Sequence, residues 1–536
     1  MAYNNTTKKI IQPIIFALLL VLGIFIGHTL LPKSSSGGSN SLMIYPQANK
    51  IEALMNLIEA EYVDTIDKHQ MIEDLIPEVL KNLDPHTVYI PAKDLKNVNE
   101  ELQGSFGGVG VQFNIHKDTV MVVMVISGGP SEKAGLLPGD RIIAVNDSSI
   151  AGIGIDNAKV MRLLRGELGT KVTVGIKRRD RSEPISFEIT RGTIPVYSVD
   201  VSYMINDTIG YIKVSRFAQN TYQEFLTALA KLKAHNCQKV IIDMRGNSGG
   251  YLNVANDLCN EFLANHEMIV YTEGKSNPRQ ELYANGNGTC QNTQVAVLID
   301  EFSASASEIF AGAMQDNDRG IIVGRRSFGK GLVQNQIPLP DGSAIRLTIA
   351  RYFTPSGRCI QKPYMNGNQD YSMDIMKRFE NGEFFEQDSI HFADSLSYTT
   401  KKGRTVYGGG GIMPDYFVPR DTSELSNLYY QIRDKGMTYQ YALQFTDNHR
   451  KEVENFATVK EINTFIEQKD IMSDFVSFLK EKNIKIDRKQ WDISKHRINV
   501  EIRAFISRNI LDNEGFYPVL HELDEILHEA IKQLEE

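Results

Sequence analysis

The sequence predicts a multidomain α/β protein, and three observations carry that prediction. The chain has 536 residues, too many for one compact core, so the length alone points to roughly three to four domains. Residues 194–418 alternate short apolar runs of strand type with helical ones, the pattern of a layered α/β core. Residues 101–193 read instead as a glycine-punctuated series of short strands, and residues 419–536 as charged helices.

Taken in order, Lys8 and Lys9 precede an apolar run from Ile10 to Gly27, broken only by Gln12 and Pro13. This run has about the length needed to cross a bilayer, and the lysines would stay in the cytoplasm with the rest of the chain outside it. A cleaved signal peptide is the rival reading. However, Phe25-Ile26-Gly27-His28-Thr29 is not an Ala-x-Ala-like cleavage signal, and no cysteine follows to carry a lipid. The expected layout is therefore a cytoplasmic stretch 1–9, an uncleaved signal-anchor 10–31 and a Ser/Gly-rich tether 32–45.

Residues 46–100 form a helical region. One apolar stripe is Ile51, Leu54, Met55, Leu57 and Ile58; a second is Ile72, Leu75, Ile76, Val79, Leu80 and Leu83, ending in the turn Leu83-Asp84-Pro85-His86-Thr87. In the β-rich stretch 101–193, Gly107 to Phe113 is a glycine-rich turn entering a strand. Strands follow at 120–126 and 171–177, and the string 137–146 turns into a further one, with a short helix 131–136 ending on glycine and an amphipathic helix 158–164. In the α/β core, strands are expected at 209–214, 239–244 and 295–300 and a helix at 221–234. Beyond 419, Leu425, Leu428, Tyr429 and Ile432 make a stripe, Ile462 to Leu479 one or two helices, and Val519 to Leu534 the last helix.

The net charge of −8 argues against nucleic acid as a partner. The basic run Lys177-Arg178-Arg179, followed by Asp180, is read as a solvated hairpin turn. Four cysteines, Cys237, Cys259, Cys290 and Cys359, show no Cys-x-x-Cys; a disulfide is permitted outside the cytoplasm, with its pairing open. The histidines form no His-Glu-x-x-His, and His521 and His528, seven apart, are not read as a metal site. Neither a metal nor a cofactor is expected.

The chemistry lies in two segments. Ser303-Ala304-Ser305-Ala306-Ser307-Glu308 follows a buried strand and opens a helix; Phe328-Gly329-Lys330-Gly331 follows downstream. A serine becomes a nucleophile when a neighbouring base takes its proton, and a lysine whose pKa is lowered by burial is such a base. Lys330, among Phe328, Gly329, Gly331 and Leu332, fits that role, and Gln334 can orient its amine. The oxyanion formed on attack needs two N–H donors: one from Ala306, one from the loop Arg245-Gly246-Asn247-Ser248-Gly249-Gly250, either Gly249 or Gly250. The serine segment and this glycine loop both sit where a strand ends and a helix begins.

These strings, together with Asp243-x-Arg245-Gly246-Asn247-x-Gly249-Gly250, Leu83 to Thr87, Tyr352 to Arg358 and Gly410-Gly411-Ile412-x-Pro414-Asp415, closely resemble the carboxy-terminal processing peptidases, the tail-specific protease family. The resemblance spans about residues 46–418. It implies a ClpP/crotonase-like α/β peptidase core (194–418) preceded by its N-terminal helical region (46–100), with a helical C-terminal extension (419–536) to which nothing transfers. In this family the nucleophile stands twenty-five residues before the lysine, which selects Ser305 and leaves Ser303 and Ser307 as capping or packing residues. Ser248, where proline is common, and Ser327, where threonine is common, are mild departures.

Residues 101–193 resemble a PDZ domain through Ala134-Gly135-Leu136, Gly139-Asp140-Arg141-Ile142 and Val145-Asn146. PDZ domains add an extended C-terminus as a strand and hold its carboxylate with loop amides. Here that implies a loop Gly108, Val109, Gly110 and Val111 and an apolar pocket beside Phe113 and Leu163. The expected function is thus a membrane-anchored serine endopeptidase acting outside the cytoplasm, which recognises protein C-terminal tails and cleaves by a Ser305–Lys330 dyad. A homo-oligomer or an adaptor protein is left open as a further partner. Two rivals remain. A membrane-tethered PDZ adaptor on an inactive peptidase scaffold would have lost the serine or lysine, and neither is lost. A crotonase-type enzyme of different chemistry would lack the PDZ.

Overall fold

The computed structural model describes residues 50–116, 118–178 and 181–536. The expected cytoplasmic stretch, anchor and tether lie outside the described residues, as do Arg179 and Asp180. Among the described residues no helix is long and apolar enough to cross a membrane. The chain divides into two compact units, up to Ile72 and from Glu73 onward. In the first, the helix Lys50–Glu61 leaves Ile51, Leu54 and Leu57 exposed, and Lys68 Nζ lies 2.7 Å from Glu59.

The second unit is built on a six-stranded sheet in the order Val199–Met204, Ile209–Val214, Lys239–Asp243, Gln294–Ile299, Ile321–Gly324 and Tyr416–Phe417. The first pair is antiparallel and the others are parallel. Strands laid down in sequential order by crossovers of one hand put their helices on one face. The helices Thr221–Lys233, Leu252–Asn260 and Ala306–Asp316 accordingly share a core with Ile212, Val240, Ile242, Val295 and Val297. Because strand side chains alternate, Tyr211, Ile241, Ala296 and Leu298 point the other way. That second face is covered by Ile526, Leu527, Ala530 and Leu534 of the last helix, Glu525–Glu535. The strands are thus buried on both sides, as parallel sheets require.

A second sheet joins Val88–Ile90, Leu332–Pro338, Ala344–Phe353, Met268–Glu273 and Gln280–Tyr283, and it carries Gln334 and Arg346. The helix Ala92–Gln103, with little apolar content, falls mostly within the expected helical region 46–100 but outside its two apolar stripes.

The β-rich insert forms its own six-stranded sheet around Val120, Val122, Ile142, Val160, Val172 and Val174. Its strand Lys171–Lys177 and helix Asn157–Leu164 match the expected bounds within one residue. Entry and exit strands Ser105–Gly108 and Gly192–Pro195 pair antiparallel, which closes the insert at its root. The basic run is only partly solvated. The Arg178 guanidinium forks onto buried Asp140, at 2.7 Å from each carboxylate oxygen, because the strand register that pairs Lys177 with Arg141 sets the two residues side by side.

The C-terminal helices pack a core of Leu428, Ile432, Tyr441, Ile462, Phe475 and Ile498. The expected helix Val519–Leu534 is corrected. The helical stretch Arg488–Leu520, itself broken at Asp512 (φ +53°, ψ −141°), ends first, a 3-10 turn covers His521–Leu523, and a new helix starts at Glu525. The break occurs because Asp524 caps the new start, accepting the Leu527 N–H at 3.1 Å.

Candidate active site

The serine segment leaves the strand Gln294–Ile299 and turns sharply into the helix Ala306–Asp316. Ser305, the residue before that helix, has φ +58° and ψ −114°. Such a left-handed conformation costs a non-glycine residue on the order of 1–3 kcal/mol and persists only where its surroundings impose it. They do so here. Ser303 Oγ, fully buried, donates to the Met244 carbonyl at 2.8 Å, and Ser307 Oγ to the Asn247 carbonyl at 2.9 Å. Two of the three serines are therefore fastened to the neighbouring strand end, and Ser305 faces the cleft.

The glycine loop follows the adjacent strand, Lys239–Asp243. Asn247 staples it: its Nδ2 donates to the Val214 carbonyl at 2.9 Å, its Oδ1 accepts the Gly249 N–H at 2.8 Å, and its carbonyl accepts the Ala304 N–H at 3.0 Å. A Cβ on Gly249 (φ +104°) would fall 2.7 Å from Ser305 Cβ, and one on Gly250 (φ +147°) 2.1 Å from the Phe217 carbonyl oxygen. Only glycine allows this approach. Among the described residues no acceptor takes the N–H of Gly250 or of Ala306, whereas that of Gly249 is already committed to Asn247.

Glu308 binds the serine turn to the lysine loop. Its fully buried carboxylate accepts the N–H of Ser305 at 2.8 Å, of Gly329 at 2.7 Å and of Lys330 at 2.9 Å, and the Ser327 hydroxyl at 2.5 Å. Burial pushes this carboxyl up to about 7, against the four donors that favour its charged form. The sequence string contained Glu308 without assigning it a role; its position three residues after a capping serine was the available signal.

Lys330 Nζ donates to Gln334 Oε1 at 3.0 Å and makes no hydrogen bond to Ser305 Oγ among the described residues. Burial holds its pKa below the usual lysine value, with Arg346 lowering it further and Glu308 and Asp84 opposing. Gln334 is held from its other side, since its Nε2 donates to the His86 carbonyl. His86 stands in the turn that Asp84 closes by accepting the N–H of His86 at 2.9 Å and of Thr87 at 3.0 Å. Burial and the Lys330 charge lower the His86 pKa to about 4, so the ring is neutral. Tyr352 donates to the carbonyls of both Ser305, at 3.1 Å, and Lys330.

Ser305, Lys330, Gln334, Ala306, Gly249 and Gly250 all line one cleft of about 970 Å³, with His86, Arg346 and Tyr352. His86, Arg346 and Tyr352 were not singled out from the sequence, because strand pairing and long-range folding bring them in. The expected peptide-binding residues lie apart, in the insert. Val109 is buried in the insert core, Gly110 has φ +82°, and Val111–His116 is an edge strand of its sheet. Phe113 on that strand and Leu163 on the helix Asn157–Leu164 pack on the same core. Among the described residues no group of three or more His, Cys, Asp or Glu side chains is placed to hold a metal ion.

A strained serine, a lysine loop and a glycine loop at adjacent parallel strand ends define the class of α/β serine hydrolases. The comparisons with known proteins narrow that class. The profile of peptidase family S41 matches residues 208–370, that of a PDZ domain residues 107–189, and that of a family of unknown function residues 428–512. The chain is 33% identical over 356 residues to the carboxy-terminal-processing protease of Bartonella bacilliformis, covering 66% of this chain and 80% of that one. It is 34% identical over 317 residues to the carboxy-terminal processing protease CtpB of Bacillus subtilis, covering 59% of this chain and 65% of the relative, just under two thirds. Among solved structures, the photosystem II D1 C-terminal processing protease is 27% identical with a TM-score of 0.33, over 56% of this chain and 87% of that one. The chain belongs to peptidase family S41, the carboxy-terminal processing proteases.

Proposed function

We propose that this chain is a membrane-anchored serine endopeptidase, acting outside the cytoplasm, that takes protein substrates by their C-terminal tails and cleaves them with a Ser305–Lys330 dyad. The observation that carries the reading is the cleft itself. It joins a strained serine, a lysine of lowered pKa and two N–H groups with no acceptor among the described residues.

Neutral Lys330 takes the proton of Ser305 Oγ as it attacks the scissile carbonyl. The oxyanion is held by the N–H groups of Ala306 and Gly250; the Asn247–Gly249 bond favours Gly250 over Gly249. The lysinium returns its proton to the leaving amine, and water then hydrolyses the acyl-enzyme by the same route. Gln334, gripped by the His86 carbonyl, fixes the amine direction. The anchor rests on Lys8, Lys9 and the apolar run that follows. Mature protein that starts near Lys33 and is freely soluble would favour a cleaved signal.

Activity should rise with pH as Lys330 loses its proton. Because Arg346 lowers that pKa, Arg346→Gln should move the acid limb of the kcat profile to higher pH. A profile that peaks near an acidic pH of roughly 5 would sink the lysine-base mechanism.

The insert should read a free carboxylate. Charge-assisted hydrogen bonds from the amides of Gly108 to Val111 make a free C-terminus worth about tenfold in kcat/KM over its amidated form, for one peptide with an apolar end. Equal kcat/KM for the two forms would dismiss tail recognition.

A further inference from the structure

Arg245 stands between the strand Lys239–Asp243 and the loop that ends at Gly250. Its guanidinium lies between two carboxylates. On one side Asp243 accepts from Nη2 at 2.6 Å and from Nε at 3.0 Å. On the other, Asp524 takes a parallel fork, Nη1 to Oδ1 at 2.7 Å and Nη2 to Oδ2 at 2.6 Å. Lys213 Nζ completes the cluster, 3.1 Å from Asp243 and donating to the Arg245 carbonyl at 2.5 Å. Two anions and two cations thus balance in a largely buried setting, where removing one member leaves an uncompensated charge.

Asp524 belongs to neither matched peptidase residues 208–370 nor the matched residues 428–512 of the C-terminal helices. It begins the helix that covers the second face of the sheet, the face onto which alternation also directs Asp243. Among the described residues its hydrogen bonds toward the cleft go to Arg245, and Arg245 is continuous with Gly246, Asn247, Ser248, Gly249 and Gly250, four of which line the cleft. Gly246, Gly249 and Gly250 all have positive φ, a conformation glycine adopts freely, and the loop takes its position from its fastenings: Asn247, Asp300, which accepts the Gly246 N–H at 2.9 Å, and Arg245 at its root.

The geometry points to Asp524 as a positioning residue: the last helix holds the oxyanion-binding loop in place through the Asp524–Arg245 fork. This rests on the serine peptidase reading above, and it gives the end of the chain a part in the reaction. A fork of two parallel charge-assisted bonds fixes orientation as well as distance, and small misplacements at a reacting centre cost large factors in rate.

The test uses the full-length chain and a short peptide substrate. Asp524→Asn keeps an oxygen to cap the helix but loses the charge and one acceptor of the fork. Leu534→Ala is the control: it loosens the same helix on the same face without touching Arg245. Asp524→Asn should lower kcat about tenfold with KM unchanged, and weaken a peptide aldehyde, whose adduct places an oxyanion at the site, by a similar factor. Leu534→Ala, measured below its Tm, should keep kcat within about twofold of wild type. The inference is overturned if Asp524→Asn keeps the wild-type kcat, or if Leu534→Ala loses as much. Loss of cleavage in Ser305→Ala tests the peptidase reading separately, because the comparison here is between two variants that both retain the dyad.

Discussion

Ser305→Ala and Lys330→Ala should each lower kcat by about 10⁴- to 10⁶-fold, with folding intact by circular dichroism, and the double variant should be no slower than either single one. The non-additivity is the informative part. A nucleophile and its base act as one unit, so losing either leaves only what the N–H donors of Ala306 and Gly250 and substrate binding supply. Ser303→Ala and Ser307→Ala give the contrast. Each removes a buried hydroxyl that grips a backbone carbonyl, so each should cost about 1–3 kcal/mol of stability and a modest part of the rate. Abolition by Ser303→Ala together with activity in Ser305→Ala would overturn the assignment of the nucleophile.

The dyad was legible because serine, lysine and glycine loop are local strings, each at the end of a readable strand, and the family spacing chose among the serines. The oxyanion donor was not. Gly249 and Gly250 are adjacent and alike in sequence, and what separates them is the Asn247 side chain turning back onto the first. Arg346 was illegible for another reason: it reaches the cleft from a strand whose own pattern says only strand, whereas His86 and Tyr352 lie in the family-like strings Leu83 to Thr87 and Tyr352 to Arg358, which assign neither of them a role. The last helix was half legible. Its apolar spacing carried across His521–Leu523 without a visible gap, so a single helix was drawn, although Asp524 is a good N-cap. The same carboxylate forks onto Arg245, and no local pattern announces a contact 279 residues away.

Glu308→Gln should be the most damaging change outside the dyad, lowering kcat about 10²-fold. The wild-type carboxylate satisfies four donors, two on each oxygen, and three of them are backbone N–H groups from the two loops that must face each other. An amide supplies one accepting oxygen and sets its NH₂ against the remaining donors. Each buried donor left unpaired costs about 1–3 kcal/mol, and the strained Ser305 turn loses a restraint that maintains it. The pH profile separates this from plain destabilisation. Glu308 titrates near 7 in the folded chain, against 4.5 for an ordinary glutamate. The working form needs it ionised and Lys330 neutral, so the wild-type acid limb should carry two ionisations and that of Glu308→Gln one. The limb should also move to lower pH, since the Glu308 charge raises the Lys330 pKa. Stability follows the opposite sign. The folded carboxyl pKa is raised, so Glu308 contributes most below about 4.5 and progressively less up to about 7. The Tm advantage of wild type over Glu308→Gln should therefore narrow across that window. A variant with wild-type kcat and an unchanged acid limb would show that the serine turn and the lysine loop hold their places without the carboxylate between them.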